Sequence, residues 1–180
     1  MPLLYPALLV LRHKPGQIGL KLDQAGWADV DELMRLANNH GHRLTRSLLE
    51  QVVAQNDKQR FAFSGDNKRI RANQGHSIAV DLGLSPSQPP ALLYHGTSVR
   101  VIQSIRTQGL LPGNRRYVHL SIDAATAAQV GQRRGTPVIL VIQTEKMVMD
   151  GHRFFLSDNG VWLTERVPAQ FIQFPRSVKA

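Results

Sequence analysis

The sequence predicts an α+β chain made of two lobes. Segments with apolar residues at helical spacing come first and end in a short hairpin pattern, whereas the second half alternates short strands with helices. Between the halves, residues 82–91 read LGLSPSQPPA, and their prolines and serines are typical of a linker. We therefore predict one lobe over residues 1–85 and a second over residues 86–180.

The front lobe is predicted to hold three helices and a β-hairpin. An apolar run that ends at Leu11 predicts a first helix, which Pro15 and the glycine after it would stop. Asp29 stands three residues before Glu32, as in a capping box, and apolar residues follow at helical spacing. A third helix is predicted at TRSLLEQVVAQN (45–56), and a hairpin at RFAFSGDNKRIRA (60–72). On a basic chain, helices followed by a hairpin predict a winged-helix-like module that binds nucleic acid.

The back lobe is predicted to be mixed, with strands and helices in alternation. The predicted segments are, in order, a strand at 91–97, a helix at 98–109, a strand at 117–121, a helix at 123–134 and a strand at 137–143. Residues 152–168 then predict two strands around an Asp-Asn-Gly turn.

The charge of the chain indicates a polyanionic ligand. The formal charge is +9, from 22 Lys and Arg against 13 Asp and Glu, and most of the basic residues are arginine. A planar guanidinium binds phosphate oxygens in pairs, so this excess favours phosphate or nucleic acid; a merely soluble basic surface is the alternative. The lack of cysteine excludes disulfides and thiolate metal sites. Because neither a long apolar run nor a signal-peptide pattern is present, we expect a cytoplasmic protein.

Two common catalytic patterns are disfavoured. His40 and His42 lie close together in the sequence, but no third ligand stands at metal-binding spacing. No serine lies in a nucleophile-elbow sequence, so a Ser-His-Asp hydrolase is disfavoured as well. We therefore expect no metal site.

Residues 69–77, RIRANQGHS, concentrate polar groups in one short loop. Gly75 permits a tight turn there. Two guanidinium groups and an imidazole in so short a segment favour anion binding, and a solvated loop is the alternative. The polar side chains are those of Arg69, Arg71, Asn73, Gln74, His76 and Ser77.

Basic pairs stand at the ends of two predicted helices. Arg12 and His13 end the first helix, and Arg133 and Arg134 end a later one. Cations at a helix C-terminus interact favourably with the helix dipole. A capping role therefore explains both pairs as well as a functional role does.

Two histidines stand near the ends of predicted strands. His95 is followed by Gly96, which would let a ligand approach the backbone, and then by Thr97. His119 is followed two residues later by Ser121. A structural histidine is the alternative for either one alone, but mixed α/β folds often bind cofactors at strand ends. The repeated histidine and hydroxyl pattern favours a binding site.

Six segments together carry a family resemblance: LRHKP, Gly26-Trp27, IRANQGHS, LYHGTS, VHLS and VGQRRGTPVIL. In this order and at this spacing, over about residues 10–175, they resemble the Tpt1/KptA family of NAD-dependent RNA 2'-phosphotransferases. The resemblance implies a winged-helix-like RNA lobe joined to an ADP-ribosyltransferase-like NAD lobe. It also implies NAD as a consumed co-substrate without a metal, a monomeric protein, and a tRNA-like substrate with an internal 2'-phosphate, as in tRNA splicing and RNA repair.

The resemblance further implies roles for individual residues. The essential Arg-His-Arg-Arg set of the family falls on Arg12, His13, Arg71 and Arg133. Arg133 is preferred to Arg134 because it stands second after Gly131. The implied NAD contacts are His95, Gly96, Thr97, His119 and Ser121. The implied contacts of the RNA 2'-phosphate are Arg69, Arg71, Gln74, His76 and Ser77.

Two positions differ from related proteins. The third residue of the transferase signature, often glutamate, falls near Val161. The first ten residues, MPLLYPALLV, replace the Ser/Lys-rich lead that is usual in the family, so contacts of that helix with phosphate or RNA are in question.

The implied reaction has two steps. The RNA 2'-phosphate first displaces nicotinamide from NAD to give an ADP-ribosylated RNA 2'-phosphate. A ribose hydroxyl then attacks phosphorus and releases RNA with a 2'-OH, together with ADP-ribose 1'',2''-cyclic phosphate. Two alternatives stay open: an ADP-ribosyltransferase that modifies a nucleic-acid end phosphate or a protein and stops after the first step, and a winged-helix binder without catalysis.

Overall fold

Residues 9–56 and 58–175 of the computed structural model are described, and they form α-helices and three small antiparallel sheets. The mixed α and β content predicted from the sequence is confirmed, whereas the winged-helix-like and ADP-ribosyltransferase-like assignments stay predictions. The chain divides into two compact units, Met1–Gly83 and Leu84–Ala180. In the described part, no helix is both long enough and apolar enough to span a membrane.

In the first unit the helix start at Asp29 and the hairpin are confirmed. The Asp29 side chain accepts a hydrogen bond from the backbone N–H of Glu32 at 2.9 Å. The hairpin pairs Phe61 with Ala72, and a short strand absent from the prediction adds to its other edge, giving the order β1-β3-β2. The elements are β1 (Ala28–Asp29), α1 (Val30–Asn39), α2 (Arg46–Ala54), β2 (Phe61–Phe63) and β3 (Arg69–Ala72).

Most of the predicted first helix, residues 1–8, lies outside the described residues. Its described end is a tight turn in which the backbone N–H groups of Arg12 and His13 both donate to the carbonyl of Leu9 at 3.0 Å. A 3-10 helix, Pro15–Ile18, follows directly. Proline suits this position because the first helical residue has no N–H partner to lose.

The first unit packs around fully buried aliphatic side chains. Leu11 follows the apolar run, Leu33 and Leu49 come from α1 and α2, and Ile70 comes from the centre of β3. The alternation along β3 buries Ile70 and turns Arg69 and Arg71 to the other face of the sheet. The core thus fixes where both arginines stand.

In the second unit the strands and helices predicted up to residue 143 and the hairpin at 152–168 are confirmed. The elements are β4 (Leu93–Ser98), α3 (Ile102–Gln108), β5 (Val118–Leu120), α4 (Ala124–Gly131), β6 (Pro137–Ile142), α5 (Thr144–Met149), β7 (Phe154–Leu156), β8 (Trp162–Thr164) and β9 (Ile172–Gln173). They form two sheets, of order β4-β6-β9 and β5-β8-β7. The sequence did not predict α5 and β9.

Backbone hydrogen bonds join the two sheets of the second unit. Tyr94 of β4 and Ser121, just after β5, exchange backbone hydrogen bonds of 2.9 and 2.7 Å. The predicted linker contains no helix or strand, and Ser87 within it donates to the carbonyl of Phe154 at 2.8 Å. The two bonds between Tyr94 and Ser121 hold the start of β4 beside the end of β5.

Helix α4 packs directly on strand β4 through two glycines. A Cβ built on Gly96 would lie 1.7 Å from the carbonyl oxygen of Ala127, and one on Gly131 would lie 2.8 Å from the carbonyl oxygen of Thr97. Only residues without a side chain permit this approach of the two backbones. The contact holds α4, and therefore the segment that carries Arg133, against β4.

The substitution Gly96→Ala is expected to destabilise the second unit severely. The new methyl group would overlap a backbone carbonyl, which cannot rotate away, so helix and strand must separate. We expect a loss of about 3 kcal/mol in the free energy of unfolding, the upper part of the range for overpacking. Urea unfolding measures it, with Gly65→Ala as the control, because a Cβ at Gly65 meets nothing within 4 Å. An unchanged midpoint for Gly96→Ala would contradict the packing described.

Candidate functional site

In the first unit, the turn at Arg12 and His13 is bonded to the end of the RIRANQGHS loop. The Nδ1 atom of His13 lies 3.0 Å from the hydroxyl oxygen of Ser77. The backbone N–H of Ser77 donates to the carbonyl of Arg12, also at 3.0 Å. Two segments 64 residues apart in the sequence therefore meet, and the structure brings together His13 and Ser77 as the site prediction requires.

Arg12 is buried and lies against the glycine of the loop. Its relative exposure is 6%, and a Cβ built on Gly75 would lie 1.8 Å from Nη2 of Arg12. Gly75 also has φ of +82°, a conformation that other residues rarely adopt. The guanidinium thus occupies the space that a side chain at position 75 would need.

His76 is a buried imidazole among positively charged groups. Its exposure is 5%, and burial, together with the charges of Arg12, His13 and Arg71, lowers its pKa to about 4. The ring is therefore neutral at pH 7. Its Nε2 atom is fully buried and has no hydrogen-bond partner among the described residues.

Asn73 and Gln74, which precede His76 in the loop, also have buried side-chain atoms. The amide of Asn73 donates to the carbonyl of Gln59 at 2.6 Å, which ties the loop to the segment before β2. The buried side-chain oxygens of Asn73 and Gln74 have no hydrogen-bond partner in the described part of the chain. Buried polar atoms left unsatisfied cost about 1–3 kcal/mol each, so their accumulation in one loop indicates a site built for a polar ligand.

Arg71 is stacked on an aromatic ring. Its guanidinium carbon lies 4.5 Å from the centroid of the Trp27 ring, and that of Arg69 lies 5.5 Å from it. Arg69 is more exposed and approaches the carboxylate of Asp23 at 3.6 Å. The sequence analysis predicted both arginines as phosphate contacts but assigned no role to Trp27. The signal that could have indicated a role was its position directly after Gly26.

The neutral state of His76 should make the stability of the protein depend on pH. On unfolding, the pKa of the ring returns from about 4 to 6.5, so between these values the unfolded chain binds the additional proton. The free energy of unfolding should be fully maintained above pH 6.5 and fall as the pH is lowered toward 4, by up to about 3 kcal/mol. Urea unfolding from pH 7 to pH 4 measures this loss.

Two variants test the assignment to His76. His76→Asn should flatten the pH dependence, whereas His40→Asn, at an exposed position, should leave it as in the parent protein. An equal pH dependence in all three proteins would show that His76 is not the titrating group.

In the second unit, His95 and His119 stand on neighbouring strands. The Nδ1 atom of His95 lies 3.0 Å from the backbone carbonyl of His119, to which it donates. The neutral ring then carries its lone pair on Nε2. Ser121 follows at the point where β5 is bonded to β4, so three of the predicted NAD contacts come together at this junction.

Of the other predicted site residues in the second unit, Gly96 and Thr97 are buried and Arg133 is exposed. Thr97 is 2% exposed, and Gly96 has the helix α4 against it. The close approach that the sequence suggested for a ligand at Gly96 is thus made by the helix backbone. Arg133 is exposed in the 3-10 helix that follows Gly131; of the Arg134 side chain nothing is described.

Val161 lies next to the same junction. Strands β5 and β8 pair Leu120 with Trp162, so the register, continued by one residue, places Val161 opposite Ser121. The backbone N–H of Val161 donates to the Ser157 hydroxyl at 3.1 Å. An apolar side chain therefore lies beside the predicted NAD contacts, at the position where the sequence resemblance predicted the third residue of the transferase signature.

The described residues hold no cluster of metal ligands. In residues 9–56 and 58–175, no group of three or more His, Asp or Glu is placed to hold a metal ion. His40 instead donates from Nδ1 to the carbonyl of Leu36 at 2.9 Å, a contact within its own helix end.

A buried guanidinium, a half-buried one and a buried imidazole thus lie together in the first unit of a basic chain, an arrangement typical of proteins that bind phosphate groups. The family model described as "RNA 2'-phosphotransferase, Tpt1 / KptA family" matches residues 7–166. The chain belongs to this family, and the resemblance found in the sequence is confirmed.

Curated relatives support the same membership. A protein of Rhodopirellula baltica is 53% identical over 168 residues, which cover 93% of this chain and 91% of the relative. A protein of Pseudomonas aeruginosa is 56% identical over 165 residues, covering 91% of each chain. One of Burkholderia pseudomallei is 55% identical over 166 residues, covering 92% of this chain and 90% of the relative. All three are named "Probable RNA 2'-phosphotransferase".

Proposed function

We propose that this protein is an NAD-dependent RNA 2'-phosphotransferase. It moves an internal 2'-phosphate of a tRNA-like RNA to NAD and yields RNA with a 2'-OH, nicotinamide and ADP-ribose 1'',2''-cyclic phosphate. The observation that carries the proposal is a cluster in the first unit: the buried guanidinium of Arg12 lies against Gly75, and His13 contacts Ser77. The charges of Arg12, His13 and Arg71 also act on the buried ring of His76. Membership of the family supports the RNA 2'-phosphate as the ligand that we assign to this cluster.

The cluster suits a doubly charged phosphate. Like charges held together in a buried place repel one another, and an anion with several oxygens relieves this repulsion. Arginine is the appropriate residue because its planar fork donates two parallel hydrogen bonds to phosphate oxygens. In the proposal, Arg71 is the principal clamp, Arg12 is a second donor, and Gln74, His76 and Ser77 complete the contacts.

The second unit is assigned to NAD. With Nδ1 of His95 donating to the carbonyl of His119, the Nε2 atom of a neutral ring is a hydrogen-bond acceptor, which fits a ribose hydroxyl donor. Ser121 lies at the same strand junction, and the helix packed on Gly96 leads to Arg133. We assign Arg133 to the stabilisation of phosphate charge. NAD supplies the electrophilic ribose carbon and is consumed.

The first step needs no general base. An oxygen of the RNA 2'-phosphate bonds to C1 of the nicotinamide ribose, and the C1–N bond breaks so that nicotinamide leaves as a neutral molecule. The phosphate is already anionic at neutral pH, since its second pKa is about 6. A glutamate that activates a neutral nucleophile is therefore superfluous, which accounts for the apolar Val161 beside the predicted NAD contacts.

The second step needs both charge stabilisation and a proton. The neighbouring hydroxyl of the transferred ADP-ribose attacks phosphorus and loses its proton, the bond from phosphorus to the RNA 2'-oxygen breaks, and that oxygen takes up a proton. Fixed guanidinium groups stabilise the charge spread over the phosphorus oxygens. His13, whose ring is oriented by the Ser77 hydroxyl, is assigned to move the proton because an imidazole nitrogen can either accept or donate one.

Release of nicotinamide tests the proposal. The protein is incubated with NAD in the presence of EDTA and one of three short RNAs of the same sequence: with an internal 2'-phosphate, with a 5'-phosphate only, or with neither. We expect rapid nicotinamide release with the first RNA alone. Release that is equally fast with the 5'-phosphorylated RNA, or with the RNA that carries neither phosphate, would contradict the assignment of the internal 2'-phosphate as the nucleophile.

A further inference from the structure

Trp27 lies directly across the sheet from Arg71. Strands β1 and β3 pair Ala28 with Ile70 and Asp29 with Arg69, so the same register, continued by one residue, sets Trp27 opposite Arg71. Side chains opposite one another in antiparallel strands stand on the same face. The guanidinium carbon of Arg71 accordingly lies 4.5 Å from the centroid of the Trp27 ring, within the range of a cation–π contact.

The backbone that presents Trp27 is closed into a turn by one carboxylate. An oxygen of Asp23 accepts hydrogen bonds from the backbone N–H groups of Ala25 and Trp27, each at 2.9 Å. The backbone N–H of Asp23 donates to the carbonyl of Trp27, also at 2.9 Å. The other carboxylate oxygen approaches Nη1 of Arg69 at 3.6 Å. The turn is thus fastened both to itself and to β3.

The turn also packs on the segment that carries His76 and Val80. Gly26 has φ of +80°, and a Cβ there would lie 2.9 Å from Cγ1 of Val80 and 3.4 Å from Nε2 of His76. A residue with a side chain would therefore push the turn away from the loop. Trp27 consequently has one defined position relative to β3 and to His76.

From these contacts we propose that Trp27 is a positioning residue, which holds the guanidinium of Arg71 in the orientation that binds the RNA 2'-phosphate. The inference rests on the proposed function of Arg71 as the phosphate clamp. A guanidinium stacked on an indole keeps its N–H groups at the edge of the stack, where they can donate to two phosphate oxygens. The stack restricts the long arginine side chain before the ligand arrives, so less rotamer entropy is lost on binding.

Arg69 has a different role in this arrangement. Its guanidinium is farther from the ring, at 5.5 Å, and it approaches the carboxylate of the residue that closes the turn. We therefore assign Arg69 to holding the turn and Arg71 to the ligand. Trp27 acts through Arg71 and does not itself contact the phosphate.

The test compares the affinities of two RNAs in the absence of NAD. One short RNA carries a single internal 2'-phosphate, and the other has the same sequence without it. For Trp27→Leu we expect the affinity for the phosphorylated RNA to fall about tenfold, while that for the plain RNA stays unchanged. Trp27→Phe, which keeps a smaller aromatic face, should recover part of the loss.

A matched control removes a similar stack elsewhere in the first unit. The guanidinium carbon of Arg46 lies 5.2 Å from the centroid of the Phe63 ring. Phe63→Leu should leave both affinities within about twofold of the parent protein. Thermal unfolding of each variant verifies that the unit stays folded.

A double-mutant cycle distinguishes positioning from an independent role. If Trp27 acts through Arg71, Trp27→Leu should cause no further loss of affinity in the Arg71→Ala background. A tenfold loss in both backgrounds, or an equal loss for both RNAs, would overturn the proposal, the latter because it would indicate that Trp27 stacks on an RNA base.

The same data separate two kinds of failure. If the parent protein prefers the phosphorylated RNA and Trp27→Leu keeps that preference in full, the inference about Trp27 is wrong and the proposed function stands. If the parent protein shows no preference for the 2'-phosphate, both are overturned.

Discussion

Arg71→Ala is expected to lower turnover of a 2'-phosphorylated RNA by about three orders of magnitude, the size of effect seen when a fixed donor to a developing charge is removed. Arg71 is half-buried, stacks on Trp27 and lies in the charged cluster around His76. No other side chain type offers the same paired donors. Arg71→Lys should therefore recover only a small part of the activity, since a lysine provides a single point charge.

The fold should tolerate this change. The position of Arg71 in β3 depends on backbone pairing with Ala62 and not on its side chain. The midpoint of thermal unfolding is expected to shift little. The control is Arg46→Ala, which removes a partly exposed arginine that stacks on Phe63 in the same unit. Steady-state loss of the 2'-phosphate measures turnover. Undiminished turnover in folded Arg71→Ala protein would remove the clamp assignment.

Gly75→Ala is expected to lower turnover about 100-fold, because it displaces the guanidinium of Arg12 and a misplacement of about 1 Å at a reacting group is enough for such a loss. A Cβ at position 75 would lie 1.8 Å from Nη2 of Arg12 and 2.9 Å from its Cζ. The obstacle is the end of a flexible side chain, which can move. The positive φ of +82° adds a backbone cost of about 1–2 kcal/mol for alanine.

The control for Gly75→Ala is Gly41→Ala. Gly41 has the same φ of +82° in the same unit, yet a Cβ there meets nothing within 4 Å. Both variants should lose similar stability in urea unfolding, and only Gly75→Ala should lose turnover. Equal turnover in the two variants would show that the position of Arg12 does not matter for the reaction.

The sequence predicts the elements whose signals are local. Asp29 and Glu32 mark the start of α1, and the Ser-Gly-Asp-Asn turn marks the hairpin of β2 and β3. By contrast, β1 and β9 have two residues each and exist only because they pair with β3 and β6. Helix α5 has no side-chain cap at its N-terminus, so no capping residue in the sequence predicted its start.

In the candidate site, too, local features were predictable from the sequence and contacts between distant residues were not. The polar composition of residues 69–77 was sufficient to indicate a binding loop. The burial of Arg12 against Gly75 was not predictable, because local reasoning explained Arg12 equally well by the helix dipole and by a function, and the contact spans more than 60 residues of sequence. Gly96 shows the same limit, since local reasoning predicted that a ligand approaches its backbone. The group that approaches it is Ala127, on a helix that folds back on β4, and this contact is distant in the sequence.

The fate of the phosphorus atom tests the central proposal most directly. A short RNA with one internal 2'-phosphate labelled at phosphorus is incubated with the protein, with and without NAD, and the label is followed through all products. We predict that the label leaves the RNA only when NAD is present and reappears in ADP-ribose 1'',2''-cyclic phosphate. Label that stays on unchanged RNA would contradict catalysis, and label that accumulates on ADP-ribosylated RNA would show that the second step is missing.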